Sequence, residues 1–203
     1  MKILHLRRHS IKDGLNGTIG LKGIRLDSRL GYESSEPFAK IFHGPSIRTS
    51  QTALAFTYGL SCRPRVPTIN FVPKSMPIIF GLGDDTFFSE IGTDKFKKAV
   101  KGGLSKFAAI RKVHGQEKAM GWAKRGHLAL MTMFDAMEDN EKGVGFFHSP
   151  TIELTAWVCK ATESGIAKWS RLGDMEGLVF ALDTQRREIR IVGRIDVETK
   201  VHK

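Results

Sequence analysis

The stretch "MKILHLRRHSIKDGLNG" (1–17) runs a short apolar segment into Arg7, Arg8 and His9, then at once into small and turn-forming residues. "KILHLR" (2–7) is short and apolar enough for a buried strand, and Gly14, Asn16, Gly17 and Gly20 mark the loop after it. Three groups that are costly to bury therefore collect at a strand end. Where such an end meets water the cluster means little. Where it opens into a pocket it suits an anion, because Arg offers a planar fork of permanently charged donors and His serves as nucleophile or proton carrier near neutral pH.

Outward from this segment the strand, loop and helix pattern recurs. Leu21, Ile24, Leu26 and Leu30 predict a helix over 21–31, "FAKIFHG" (38–44) reads as a strand, and "SIRTSQTALAFTYGL" (46–60) as a helix with Ser46 as its N-cap. Residues 61–93 are irregular and rich in Pro, Gly and Phe, with a short strand expected at 68–72. Helices are predicted over 93–112 and 116–139. "GVGFFHS" (143–149) reads as a buried strand ending in His148, and "TIELTAWVCKAT" (151–162) as a helix. "GLVFALD" (177–183) and "EIRIVGR" (188–194) read as two strands joined by a short turn. This alternation predicts an α/β protein: a three-layer α/β/α sandwich around a mostly parallel sheet, one domain over 1–203, with a variable lid or insertion at about 61–142. Ligands of such sheets bind at the carboxyl ends of the strands, which is where His9, His148 and the loop to Arg48 are expected. Arg48 also lies in the first turn of its predicted helix, where free N–H groups and the positive dipole end attract anions.

Composition narrows the classes. The 203 residues carry 32 Lys and Arg against 21 Asp and Glu, a formal charge of +11, which favours anionic partners. Cys62 and Cys159 stand far apart without a CxxC or metal-ligand pattern, so neither a disulfide framework nor a metal site is expected. Lys2 is followed by an apolar run broken at His5 and Arg7, and no apolar run reaches about 18 residues, so the expectation is a cytoplasmic protein without a signal peptide or membrane span. Basic runs such as "KFKKAVKGG" (95–103) and "RREIR" (186–190) come without a helix-turn-helix, zinc-finger or aromatic RNA-binding signature, so a nucleic-acid partner is not expected.

Together these residues resemble the histidine phosphatase superfamily, whose fold is phosphoglycerate mutase-like. Its opening motif, Leu-x-Arg-His-Gly, is similar to Leu6, Arg7, Arg8, His9 and Ser10. Its Leu-Thr-x-x-Gly signal resembles "LKG" (21–23), and its Ser-Pro-x-x-Arg-Thr-x-x-Thr-Ala segment resembles "HGPSIRTSQTALAF", with Arg48, Thr49, Thr52 and Ala53 in register. The late strand ending in His-Gly-x-x-Ile resembles "GFFHSPTIELTA". The resemblance implies that His9 is a nucleophile that becomes phosphorylated, that Arg8 and Arg48 grip the phosphoryl oxygens, and that His148 completes the pocket. It implies no cofactor, and a phosphorylated small molecule or phosphoprotein as partner.

Two departures bear on activity. Ser10 replaces the glycine after the nucleophile, adding either bulk or a hydroxyl donor to the pocket. Pro77 or Ile78 falls where the family supplies a carboxylate to protonate the leaving oxygen. Asp84, Asp85, Glu90 and Asp13 are the substitute acids within reach in sequence, each also readable as a solvated loop carboxylate. His43 and Ser149 are expected to line the pocket. The expectation is a metal-independent phosphatase acting on a monoester or phosphoramidate; the alternative is a degenerate phosphate-binding protein that lacks an efficient acid.

Overall fold

The opening segment forms strand β1 (Lys2–Arg8), whose side chains alternate between two layers. Leu4 and Leu6 enter one core, whereas His5 lies edge-on to Phe38 with ring centroids 5.1 Å apart and Arg7 sits over the Phe56 ring on the other face. The computed structural model describes residues 1–12, 14, 17–63, 70–71, 82–159 and 171–197. After β1 come α1 (Leu21–Glu33), β2 (Phe38–His43), α2 (Ile47–Ser61) and β3 (Asn70–Phe71). Four helices follow: α3 (Asp85–Ile91), α4 (Asp94–Lys101), α5 (Lys106–His114) and α6 (Gln116–Asp135). The chain returns to the sheet with β4 (Lys142–Phe147), α7 (Ser149–Val158), β5 (Gly177–Asp183) and β6 (Glu188–Ile195).

The strand order is β3-β2-β4-β1-β5-β6. β3, β2, β4 and β1 run parallel, while β5 pairs antiparallel with β1 and β6 antiparallel with β5. The expected mostly parallel sheet is thus corrected to a mixed one. The reason is local: β5 starts at the edge where β1 ends, and the turn after it is closed by Asp183, whose Oδ1 accepts from the N–H groups of Gln185 and Arg186 at 3.0 and 3.1 Å. Four turn residues make a hairpin but cannot cross a sheet to a parallel neighbour.

The predicted helix over 93–112 is two helices, because Gly102 caps α4 and Gly103 adopts φ 94° before Ser105 caps α5. α6 and α7 end earlier than the apolar pattern suggests. Of the strand expected at 68–72 only β3 is described, and Pro77, Ile78 and Asp13 lie outside the described residues.

Helices α1 and α2 cover one face of the sheet, with Leu26, Ile41, Ala53, Phe56, Val144 and Phe146 between them. α6 and α7 cover the other, where Leu130, Phe134 and Ile152 meet Leu4, Leu6 and Phe180. A separate cluster of Phe87, Ile91, Phe107, Ile110, Trp122 and Leu154 joins α3, α5 and α6 to α7. Each fully buried Phe or Leu contributes about 2 kcal/mol by loss of apolar surface from water. α1 and α2 approach so closely that a Cβ on Gly59 would lie 1.9 Å from the Ser28 carbonyl oxygen.

Candidate active site

Strand register brings the two histidines together. Arg8 pairs with Phe147 across β1 and β4, and the His9 N–H continues the ladder by donating to the Phe147 carbonyl at 2.9 Å. His9 and His148 are therefore the next residue on each of two adjacent parallel strands, and their rings meet edge to face with centroids 4.5 Å apart. Gly44 donates to the Phe146 carbonyl in the same way, which brings the start of α2 to this edge.

His9 is 3% exposed. Its Nδ1 lies 2.8 Å from the Ser10 carbonyl oxygen, and since a carbonyl only accepts, Nδ1 carries the proton and Nε2 keeps its lone pair. Arg48 Nη1 is 3.5 Å from that Nε2. Burial, reinforced by Arg48, Arg8 and Lys106, lowers the His9 pKa to about 3, although the Ser10 hydrogen bond pulls the other way. His148 is pushed down for the same first reason, with His9 and the three cations adding to it. Both rings are neutral at physiological pH.

Arg8 is held by the loop preceding β5. Its Nη1 donates to the Leu172 carbonyl at 2.9 Å, its Nη2 lies 3.1 Å from Asp174 Oδ1, and its N–H donates to the Glu176 carbonyl. Arg171 and Met175 in that loop have φ of 63°, a costly conformation for residues with side chains. Arg7 points away, donating to the Met175 carbonyl from the opposite face. The buried Nε of Arg48 has no hydrogen-bond partner among the described residues, and burial and Arg8 lower its pKa.

The helix starts complete the wall. Ser46 caps α2 by accepting from the Thr49 N–H, and its Oγ lies 2.9 Å from His148 Nε2. His148 is itself the N-cap of α7, so two positive dipole ends converge on one edge. Phe88 of α3 packs edge-on against His148 at 4.3 Å. Gly83, at φ +80°, brings the chain beside the same ring: a Cβ there would be 3.9 Å from His148 Cδ2.

The remaining residues singled out in the sequence are placed as follows. Ser10 is buried, but its Oγ donates to the Gly23 carbonyl at 3.3 Å and its N–H to Thr52 Oγ1 at 3.1 Å, so the added hydroxyl ties the loop to α1. His43 is buried at the end of β2 with Nδ1 2.8 Å from the Gly44 carbonyl. Ser149, also buried, accepts a hydrogen bond from Lys106 Nζ. Asp84 stands beside Gly83 and caps α3, its Oδ1 accepting from the Phe87 N–H at 2.7 Å. Asp85 is the first residue of α3. Glu90 is exposed and pairs with Lys118 at 3.3 Å instead of reaching the histidines. Sequence reasoning missed Lys106, Asp174, Ser46's contact with His148 and Glu153. Only the cap residue carried a local signal, and it gave no hint of His148.

Among the described residues no group of three or more His, Cys, Asp or Glu is arranged to hold a metal, and no helix is long and apolar enough to cross a membrane.

The chain matches no protein-family model and no curated protein. It is similar to the solved structure of phosphoserine phosphatase from Entamoeba histolytica in complex with 3-phosphoglyceric acid, at 17% identity over 98% of each chain with a TM-score of 0.61. It is also similar to YhfR from Bacillus stearothermophilus, at 14% identity over 95% of this chain and 96% of that one with a TM-score of 0.57. Mycobacterial glucosyl-3-phosphoglycerate phosphatase is similar at 13% identity over 93% and 96%, again with a TM-score of 0.57. The likeness is one of fold and spans nearly the whole of each chain: this protein shares the fold of these solved structures.

Proposed function

We propose that the protein is a metal-independent phosphatase that hydrolyses a phosphate monoester or phosphoramidate through a phosphohistidine on His9. The observation that carries this reading is the neutral His9 ring, with its proton held on Nδ1 by Ser10 and its Nε2 lone pair facing Arg48 beside His148. In the first step Nε2 bonds to phosphorus and the bond to the leaving oxygen or nitrogen breaks, its electron pair going to that atom, which takes up a proton. Arg8 and Arg48 hold the phosphoryl oxygens, and the two helix N-termini oppose their growing charge. A neutral His148 donates or accepts a hydrogen bond at the transferring group. Water then attacks phosphorus as the Nε2–P bond breaks and its electron pair returns to Nε2; the water gives a proton back to the acid that protonated the leaving atom, inorganic phosphate leaves and His9 is restored.

The proton for the leaving atom is assigned to Asp84, whose neighbour Gly83 lies against the His148 ring. Phosphatases of phosphoserine and of glucosyl-3-phosphoglycerate share this fold, which supports a phosphorylated small molecule as substrate, with a phosphoprotein as the alternative. A second reading, a phosphate-binding protein with little turnover, is favoured by one feature: Asp84 is engaged as a helix cap and Glu90 is paired elsewhere. Intact-protein mass after brief mixing with a panel of phosphodonors separates the two. A transient phosphate adduct on the wild type but not on His9→Ala supports the phosphatase. Phosphate binding with no adduct from any donor supports the binding protein.

A further inference from the structure

Of the three groups at the end of β1 that are costly to bury, Arg8 and His9 belong to the histidine pocket and Arg7 does not. Strand alternation turns Arg7, with His5 two residues before it, to the face covered by α1 and α2. Both line a second cleft of about 720 Å3, within the range of small-molecule sites. Its walls are the C-terminal half of α1 with the residues that follow it, and on the other side β5, β6 and Val197. None of His9, Arg48 or His148 lines it.

The charges of this cleft are matched except at Arg7. Arg29 pairs with Glu33 at 4.0 Å, Arg194 with Asp196 at 2.7 Å and with Glu176 at 3.0 Å, and Glu36 with Lys142 at 2.5 Å. Each carboxylate around the cleft thus has a cation of its own. Arg7 makes no ion pair among the described residues: its Nη1 donates to the Met175 carbonyl at 3.3 Å, its guanidinium lies 5.7 Å over the Phe56 ring, and its buried Nε has no hydrogen-bond partner. Burial lowers its pKa to about 10 against the pull of Glu36, so the side chain stays charged at neutral pH and its desolvation is uncompensated. His5, only 8% exposed, adds a second unmet group, since its Nδ1 is buried without a partner. Burial and Arg7 hold that ring neutral, with a pKa of about 4, and a neutral imidazole can carry its proton on Nδ1 and donate from it.

We propose that this cleft is a binding site for a small organic monocarboxylate, separate from the histidine pocket, with the carboxylate held by Arg7 and His5 and an apolar body against Leu30, Val179 and Val197. One uncompensated positive charge suits one negative charge. A phosphate dianion would bring its second charge towards Glu33, Glu36 and Asp196, whereas a carboxylate fits the planar guanidinium and leaves the surrounding ion pairs in place.

The test is an NMR titration of the full chain, isotope-labelled in histidine, that follows the His5 ring at neutral pH with benzoate as probe and benzamide as its neutral counterpart. Benzoate is expected to move the His5 signals saturably with a Kd of about 1 mM or tighter, and benzamide to bind at least about tenfold more weakly. Arg7→Met weakens benzoate by about tenfold or more, while Arg48→Met, a change confined to the histidine pocket, leaves it within about twofold. His5 signals that stay in place at about 10 mM benzoate overturn the inference, and that measurement on the wild type needs no variant to fold. Equal binding of benzamide also overturns it, as does benzoate binding that is lost in Arg48→Met, which places the probe in the histidine pocket. Inorganic phosphate that moves the His5 signals as tightly as benzoate overturns the monocarboxylate class.

Discussion

His9 and His148 are each one residue beyond a paired strand, whereas Lys106 reaches the same pocket from the first turn of α5, which packs on α3, α6 and α7. The two regions place their groups by different means. At the sheet edge, backbone register sets the positions: once β1 and β4 pair as Arg8 to Phe147, the two imidazoles must be neighbours. In α3–α6, side-chain packing sets them, and Phe88, Gly83 and Lys106 approach His148 only because the Phe87, Phe107 and Trp122 cluster holds those helices on Leu154 of α7. If the pocket is the phosphoryl site proposed above, its chemistry belongs to the sheet, and the features that would choose a substrate belong to the helices.

That contrast is open to direct attack. The largest effect is expected at the sheet edge: His9→Ala lowers turnover of p-nitrophenyl phosphate by at least about 10³-fold, as removal of a nucleophile does, and EDTA has no effect on the wild-type rate. Turnover surviving in His9→Ala would assign the nucleophile elsewhere. Next comes Gly59→Ala, where the added methyl meets the Ser28 backbone at 1.9 Å and the backbone cannot yield cheaply. A loss of about 3 kcal/mol in urea unfolding is expected, because the α1–α2 layer that carries Arg48 must separate.

Acid should strain the sheet side as well. His5, His9 and His148 are all buried with pKa values lowered from 6.5, His5 to about 4 and His9 to about 3. The unfolded chain therefore binds protons that the folded chain refuses. Stability is intact above pH 6.5 and falls as pH drops towards 4, by about 1 kcal/mol per histidine for each pH unit. Thermal melts at pH 7 and pH 5 measure this, and equal melting temperatures would mean that these rings are not held neutral.

Smaller effects sharpen the boundary between the two regions. Ser46→Ala removes the cap of α2 and the contact with His148, for an expected loss of about 1 kcal/mol in stability. Glu90→Gln, on the outer side of α3, should leave turnover within about twofold, since among the described residues its carboxylate pairs with Lys118 at an exposed position.

Much of the sheet edge was legible in the residues themselves. A short apolar strand running into Arg8 and His9, a second ending at His148, and Ser46 capping the helix of Arg48 are local signals, and each maps onto a residue whose position depends on its immediate neighbours. The direction of β5 was not legible in the same way: its apolar pattern suits a parallel or an antiparallel neighbour, and only the hairpin with β6 and its antiparallel pairing with β1 decide between them. Ser10 illustrates a different gap. Its identity suggested a pocket hydroxyl, but the direction of that hydroxyl depends on where α1 places the Gly23 carbonyl.

The sequence by itself determined the strand and helix alternation, the caps and the basic strand-end cluster, because periodicity, capping and charge are properties of neighbouring residues. The tertiary structure decided which distant groups share the pocket. Lys106, Asp174 and Glu153 stand far from His9 along the chain, and no local pattern marks one lysine among 32 basic residues as half-buried against Ser149. Its desolvation, its opposition to the α5 dipole and its nearness to Arg8 exist only once α5 is packed against α7.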